Sequence, residues 1–403
     1  MRNNRLIERK TIKANMTDTL RFPVSGFCRR QASVLASALL LLAALGRANA
    51  TGYASHLNLA YGSVSSAQKL DLFVPTNTSG PFPLIVRIHG GGFSGADKGP
   101  AEADVPAYIA RGYAAACINY RLSGEALFPA AAQDTKAAVR WLRAHASAYH
   151  LDTNRFAAWG ESSGGWLAVM LGVTGDQPTI FDDFSLGNSN VSSAVQAVID
   201  WFGPVDFGSA DAQQAANPPG SCPTSWYVNN AASSFSSVWL GDALTNIPVT
   251  VAEANLTNYI VKATYLAAFL ECHGDNDCTV PYGQAVELNQ ALSNRNAISS
   301  LNLKSGWSHG DPRFESTQVT PALNFLDKYT YPLPAIKAGM SASQLNLSWP
   351  AWATNFNYTP QWTSNLLASQ SWATVTNTIR ITNGTRTIAI PAEADTRFFR
   401  LAR

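Results

Sequence analysis

Residues 159–166 read "WGESSGGW", between the apolar run "RFAAWG" and the helical stretch "GGWLAVMLGV". A glycine two places before Ser162 and another two places after it let a chain turn sharply from a strand into a helix, with the serine on strained backbone at the turn. Such a turn needs a strand that ends at one edge of a sheet and a helix that packs back along it. The feature therefore limits the fold to strands and helices in alternation. From about Tyr53 to Tyr329 the chain has that rhythm. "KLDLFVP", "PLIVRIHG", "YAAACINY", "AVQAVIDWFG", "YLAAFLECHG" and "ISSLNLKS" read as strands. "VPAYIARG", "AAQDTKAAVRWLRAHASAY", "YGQAVELNQALS" and "FESTQVTPALNFLDKYT" read as helices. Alternation of this kind implies an α/β fold, a mainly parallel sheet with helices on both faces.

The flanks and one insertion depart from the rhythm. Residues 203–263 are rich in Ser, Asn, Pro and Gly, as expected of a lid-like insertion. Residues 331–344 read as a linker, and 345–403 as a small antiparallel β domain with a turn at Asn383-Gly384. At the other end, Arg29-Arg30, the run "ASVLASALLLLAALG" and Ala48-Asn49-Ala50 have the order of a secretory signal peptide over residues 1–50. Its basic region is long, so Met16 is a candidate start, and "QASVL" after the arginine pair matches a twin-arginine signal poorly. A secreted or periplasmic location would permit disulfides among Cys117, Cys222, Cys272 and Cys278, with Cys28 leaving in the signal. Without a Cys-x-x-Cys pair or a Cys/His cluster at zinc spacing, no metal or organic cofactor is expected. A net charge of +2 gives no basis for nucleic acid or an anionic membrane as partner.

A serine becomes a nucleophile only beside a base, and the base needs an orienting acid. On a strand–turn–helix serine the chain order is Ser, then Asp or Glu, then His. Two histidines follow Ser162. His273 ends an apolar strand and reads as a residue holding a loop by hydrogen bonds. His309 lies in "GWSHGDPRF", between the last strand and the last helix, where a base belongs. The candidate set is Ser162, Asp277 and His309, with Asp275 nearly as good an acid on spacing. "IHGGGFS" supplies a second element. Backbone N–H groups of Gly91 and Gly92, with that of Ser163, could bind the oxyanion of a tetrahedral intermediate. Phe93, Glu161, Trp166, Trp201 and Phe202 are candidates for the substrate pocket, Trp201 equally for the core.

His89–Gly92, "GESSGG", "INYRLSGEALFPAAAQDTKAAVRWLRAHA", "HGDNDCTVPYGQA" and "GWSHGD" together resemble secreted bacterial carboxylesterases of the hormone-sensitive-lipase-like branch, most of all its acetylesterase- and feruloyl-esterase-like group. The likeness runs from about residue 57 to 329. It implies an α/β-hydrolase fold, and Gly91, Gly92 and Ser163 as oxyanion donors. It favours Asp277 over Asp275, because the family's acid precedes x-x-Val-Pro, here Thr279-Val280-Pro281 after Cys278. The family often carries cysteines at the places of Cys222 and Cys278, which implies a disulfide between them; Cys272–Cys278 is the local rival, and Cys117 reads as a buried thiol. Glu161 stands where Asp is usual, Trp166 where His often follows the glycine pair, and little sequence is present for an N-terminal helical cap. The final segment looks like the fibronectin-III-like tails of some exported proteins. The resemblance implies a serine carboxylesterase acting on short-chain or aromatic esters, such as acetyl or feruloyl esters of plant polysaccharide. The alternatives are a serine peptidase on the same scaffold, which would usually bring a larger specificity domain, and a non-catalytic adhesion module.

Overall fold

Val-, Ile-, Ala- and aromatic-rich runs form the centre of the sheet because residues on both of their faces must be covered. In the computed structural model the described residues are 52–175, 177–218, 220, 222, 228–330, 336–341, 344–350, 359–364, 372–382, 385–391 and 397–402. The signal expected over 1–50 and the Asn383-Gly384 turn lie outside them. Eight strands, β1 (Tyr53–Ala60), β2 (Lys69–Pro75), β3 (Phe82–Ile88), β4 (Ala114–Ile118), β5 (Leu151–Glu161), β6 (Ala197–Trp201), β7 (Ala268–Gly274) and β8 (Ser299–Lys304), form one sheet in the order β1-β2-β4-β3-β5-β6-β7-β8. β1 and β2 join antiparallel, and every pair from β4 to β8 is parallel.

Alternate residues of each strand feed opposite layers. Val86, Ile88, Val198 and Phe269 pack on one side with α2 (Ala130–Ala144) and α3 (Ser163–Thr174). Ile85, Trp159, Ile199 and Trp201 pack on the other with α1 (Val105–Ala110) and α9 (Arg313–Thr330). β1 has no counterpart in the strand assignments from sequence. Its residues are half-buried or exposed, so no apolar alternation marks it.

The insertion contributes α4 (Ala210–Ala216), α5 (Phe235–Leu240), α6 (Pro248–Ala254) and α7 (Thr257–Lys262), and α8 (Gly283–Asn294) follows β7. It is tied down by apolar side chains. Trp239 stacks on Phe93 with ring centres 3.6 Å apart, and Leu256 and Ile260 are fully buried. Aromatic pairs of this kind contribute about 0.5–1.5 kcal/mol beyond area burial. Cys222 is bonded to Cys278, and Cys117 and Cys272 are buried free thiols.

Seven short strands, β9 (Lys337–Ser341), β10 (Gln344–Pro350), β11 (Thr359–Thr363), β12 (Ala373–Thr374), β13 (Ile379–Thr382), β14 (Thr385–Pro391) and β15 (Phe398–Ala402), form two antiparallel sheets, β13-β14-β10-β9 and β12-β11-β15. Leu347, Trp349, Val375, Ile388 and Ile390 form their shared core. The β structure begins inside the segment expected to be a linker. β9 is an exposed edge strand, so nothing apolar announces it in the sequence. Among the described residues no helix is long and apolar enough to cross a membrane.

Candidate active site

Ser162 stands between β5 and α3 with φ 52° and ψ −124°, a conformation that strains any residue with a Cβ. The residues two places before and two places after it must be glycine for steric reasons. A Cβ on Gly160 would lie 1.9 Å from the Gly164 carbonyl oxygen, and one on Gly164 would lie 2.3 Å from that of Ile88. The helix start is thereby pressed against the ends of β5 and β3, and the Ser162 hydroxyl is left at the C-terminal edge of the sheet.

His309 reaches the same edge from the loop after β8. The Ser162 hydroxyl lies 2.9 Å from His309 Nε2, and His309 Nδ1 lies 2.7 Å from Asp277 Oδ2. Because Nδ1 faces a carboxylate it carries the proton, which leaves Nε2 free to accept one. Asp277 is 1% exposed. Burial pushes its carboxyl up, but the adjacent His309 and hydrogen bonds from His273 and His309 outweigh that and hold it well below the usual carboxylate range. Its other oxygen accepts the backbone N–H groups of Thr279 (2.7 Å) and Val280 (2.8 Å). Asp275 points elsewhere: its carboxylate accepts the Gly306 N–H at 2.6 Å and shapes the turn after β8.

The glycine loop bends with Gly91 at φ 104° and Gly92 at φ 59°. The Gly91 carbonyl accepts from the N–H groups of Ser94 and Gly95, each at 3.1 Å. Among the described residues none accepts from the N–H of Gly91, Gly92 or Ser163. His89 braces this loop: its Nδ1–H donates to the Gly90 carbonyl at 2.8 Å, and its ring stacks on Tyr120 at 4.5 Å.

A cleft of about 440 Å³ opens over these groups, with Gly91, Gly92, Asp97, Glu161, Ser162, Phe202, Phe235, Thr279 and His309 in its lining. Glu161 and Phe202 were expected there; Phe93, Trp166 and Trp201 were also expected and are fully buried instead. Phe93 is taken up by the Trp239 stack, and Trp166 donates its indole N–H to the Ala254 carbonyl at 3.0 Å. Trp201 and Trp159 flank the buried Arg87 guanidinium, at 5.6 and 5.5 Å. Arg87 in turn reaches Glu161 at 3.4 Å. Sequence reasoning missed Phe235 and Asp97. Phe235 had one available signal, Ser234 as helix cap before an apolar i, i+3, i+4 pattern, and the Ser234 hydroxyl does accept the Ser237 N–H. Among the described residues no cluster could hold a metal ion.

A mostly parallel sheet of this order, carrying a serine at a strained strand-to-helix turn and a histidine and a buried aspartate on later loops, defines an α/β hydrolase. The family model for BD-FAE matches residues 70–292, more than half of the chain, and the protein belongs to that family of α/β-hydrolase-like esterases. Among curated relatives, the probable carboxylic ester hydrolase LipM of Mycobacterium tuberculosis is 28% identical over 242 residues, 58% of this chain and 50% of LipM. Esterase LipC of the same organism is 25% identical over 67% of this chain and 63% of its own length. The chain thus spans about half of the first and under two thirds of the second. Among solved structures, a truncated form of a carbohydrate esterase from gut microbiota is 30% identical with a TM-score of 0.62, covering 70% of this chain and 98% of that one.

Proposed function

We propose that the protein is a serine carboxylesterase that removes small acyl groups, acetyl or feruloyl, from carbohydrate esters outside the cytoplasm. The observation that carries this reading is the unbroken hydrogen-bonded path from Ser162 through His309 to Asp277, beside three unclaimed backbone N–H groups. Ser162 Oγ attacks the ester carbonyl while His309 Nε2 takes its proton. The N–H groups of Gly91, Gly92 and Ser163 donate to the oxyanion. His309 returns the proton to the departing alcohol, leaving an acyl-serine. Water then attacks that ester with His309 again as base, and the carboxylic acid and free Ser162 are released. Asp277 holds the imidazole in the tautomer that this sequence needs.

The cleft has room for an acetyl or a feruloyl group. Phe202 and Phe235 offer apolar surface to it, while Glu161 and Asp97 at its lining disfavour an anionic one. The carbohydrate half rests on the 30%-identical relative described as a carbohydrate esterase. The Cys222–Cys278 bond fits an oxidising compartment.

A fluorophosphonate should label the native protein at Ser162, and Ser162→Ala should abolish labelling and lower kcat by several orders of magnitude. Turnover of p-nitrophenyl esters should fall as the acyl chain lengthens, and acetylated xylan or methyl ferulate should be cleaved. Undiminished activity in Ser162→Ala would refute the mechanism. A preference for long-chain triglyceride would refute the substrate class.

A further inference from the structure

Behind the Ser162–His309–Asp277 path lies a buried polar seam that the mechanism above does not use. His273 is fully buried at the end of β7. Its Nε2 lies 2.9 Å from the Val280 carbonyl oxygen, so Nε2 carries the hydrogen, and 3.3 Å from Asp277 Oδ2. One N–H is therefore shared between the acid and the loop that carries it. Val280 completes a ring by donating its own N–H to Asp277 Oδ1 at 2.8 Å. Asp277 Oδ2 thus faces two imidazoles, His309 at 2.7 Å and His273 at 3.3 Å.

The far side of the His273 ring is also polar. Among the described residues its buried Nδ1 has no hydrogen-bond partner. On β6, Asp200 is 1% exposed and stands in register with Glu271, two residues before His273. Strand alternation puts Asp200, Glu271 and His273 on one face of the sheet. Asp200 Oδ1 accepts the Gly203 N–H at 3.0 Å, while the buried Oδ2 has no partner among the described residues. Asp200 also touches the nucleophile's turn: a Cβ on Gly165 would lie 2.2 Å from its Oδ1. A buried carboxyl and a buried imidazole with unsatisfied atoms are costly unless each serves the other.

We propose that His273 is a positioning residue for the esterase reaction, holding Asp277 through the shared Nε2–H and backed by Asp200 across the sheet. The proposal rests on the assignment of Ser162, His309 and Asp277. The hydrogen bond draws on the negative charge of Asp277 and limits how strongly that charge favours protonated His309. The ionisable groups facing Asp277 are His309 and His273. Those facing His273 are Asp277 and Asp200, with Glu271 beside Asp200 on the same face.

The test compares His273→Leu, which removes the donor, with His273→Gln, whose amide nitrogen can replace Nε2–H. Soluble p-nitrophenyl acetate serves as substrate for the full chain. His273→Leu should lower kcat about 10–100-fold with little change in KM, because a displaced acid costs rate and not ground-state binding. The acid limb of its kcat/KM profile should move to higher pH, since Asp277 then spends more of its charge on His309. His273→Gln should recover most of kcat and return the limb. Asp200→Asn should cost several-fold in the native background and nothing more in His273→Leu, the signature of residues acting as one unit. A limb that stays in place while both His273 variants lose activity equally makes the histidine a structural support only and overturns the proposal. So does native kcat in His273→Leu. If Leu does not fold, an unmoved pH limb in His273→Asn has the same consequence. Activity surviving in Ser162→Ala would instead condemn the triad, a failure that can be told apart from these.

Discussion

Two aspartates two residues apart illustrate what separates a catalytic candidate from its neighbour. Asp275 and Asp277 share a loop and follow the same strand, and spacing alone leaves both open. The difference is in what each carboxylate touches: Gly306 N–H for Asp275, and His309 with two backbone N–H groups for Asp277. Asp277→Asn keeps the shape but inverts one hydrogen bond, so the imidazole loses its preferred tautomer. We expect kcat to fall roughly 10³–10⁴-fold on a soluble ester. Asp275→Asn should stay within about tenfold. Equal losses, measured at a pH where both variants are folded, would reverse the assignment. At this scale the sequence was informative where chemistry demands one residue type. The glycines of "HGGG" and "GESSGG" are legible because a Cβ there would crowd neighbouring atoms, and Ser162 is legible from its place between two of them. Aromatic residues near the site were not. Phe93, Trp166 and Phe202 are equally apolar and all buried, and what separates them is partners distant in sequence: Phe202 packs its edge on His309, Phe93 stacks on Trp239, and Trp166 donates to the Ala254 carbonyl.

Among elements, those with a strong internal pattern were the readable ones. The inner strands and α2 announce themselves by apolar runs and helical spacing, whereas β1 and β9 are held by pairing to a neighbour and carry no pattern of their own. The insertion is intermediate. Its composition suggests a lid, but its fixed course depends on contacts distant in sequence. Trp239 against Phe93 joins it to the glycine loop, and Cys222–Cys278 joins it to the loop that carries Asp277. The disulfide closes a sequence separation of 56 residues. In the chain-entropy picture that closure contributes about 4 kcal/mol by restricting the unfolded chain. Cys222→Ser should therefore lower the denaturant midpoint and, because the unfolded chain becomes less compact, steepen the unfolding curve. It should lower kcat less than Asp277→Asn does, because Asp277 retains its backbone and histidine partners. A midpoint equal to that of the native protein after verified oxidation would mean that the aromatic contacts alone secure the insertion.

Over the whole molecule, the buried carboxyl groups on the central sheet couple stability to pH in a direction opposite to ordinary surface carboxylates. Burial raises Glu271 from 4.5 to about 8, with the Ser299 hydrogen bond opposing and Asp200 adding to the shift. Burial likewise raises Asp200 from 3.8 to about 7, against the attraction of His273. In the folded protein these groups hold protons that the unfolded chain has already lost. Where the native state binds more protons, stability falls as pH rises. The contribution is complete below about pH 4, where both states are protonated, and is lost progressively as pH climbs through about 7 to 8. Asp277 adds no slope in that window, because its depressed carboxyl is ionised in both states. Glu271→Gln provides a permanently neutral side chain that still accepts from Ser299, 2.8 Å away in the native protein. The variant should match native stability near pH 4 and exceed it at pH 8 by an amount on the order of a few kcal/mol. Urea unfolding at several pH values measures this directly. Parallel stability curves for the two proteins from pH 5 to 8 would mean that Glu271 is ionised in the fold and that the seam is held by charge rather than by shared protons.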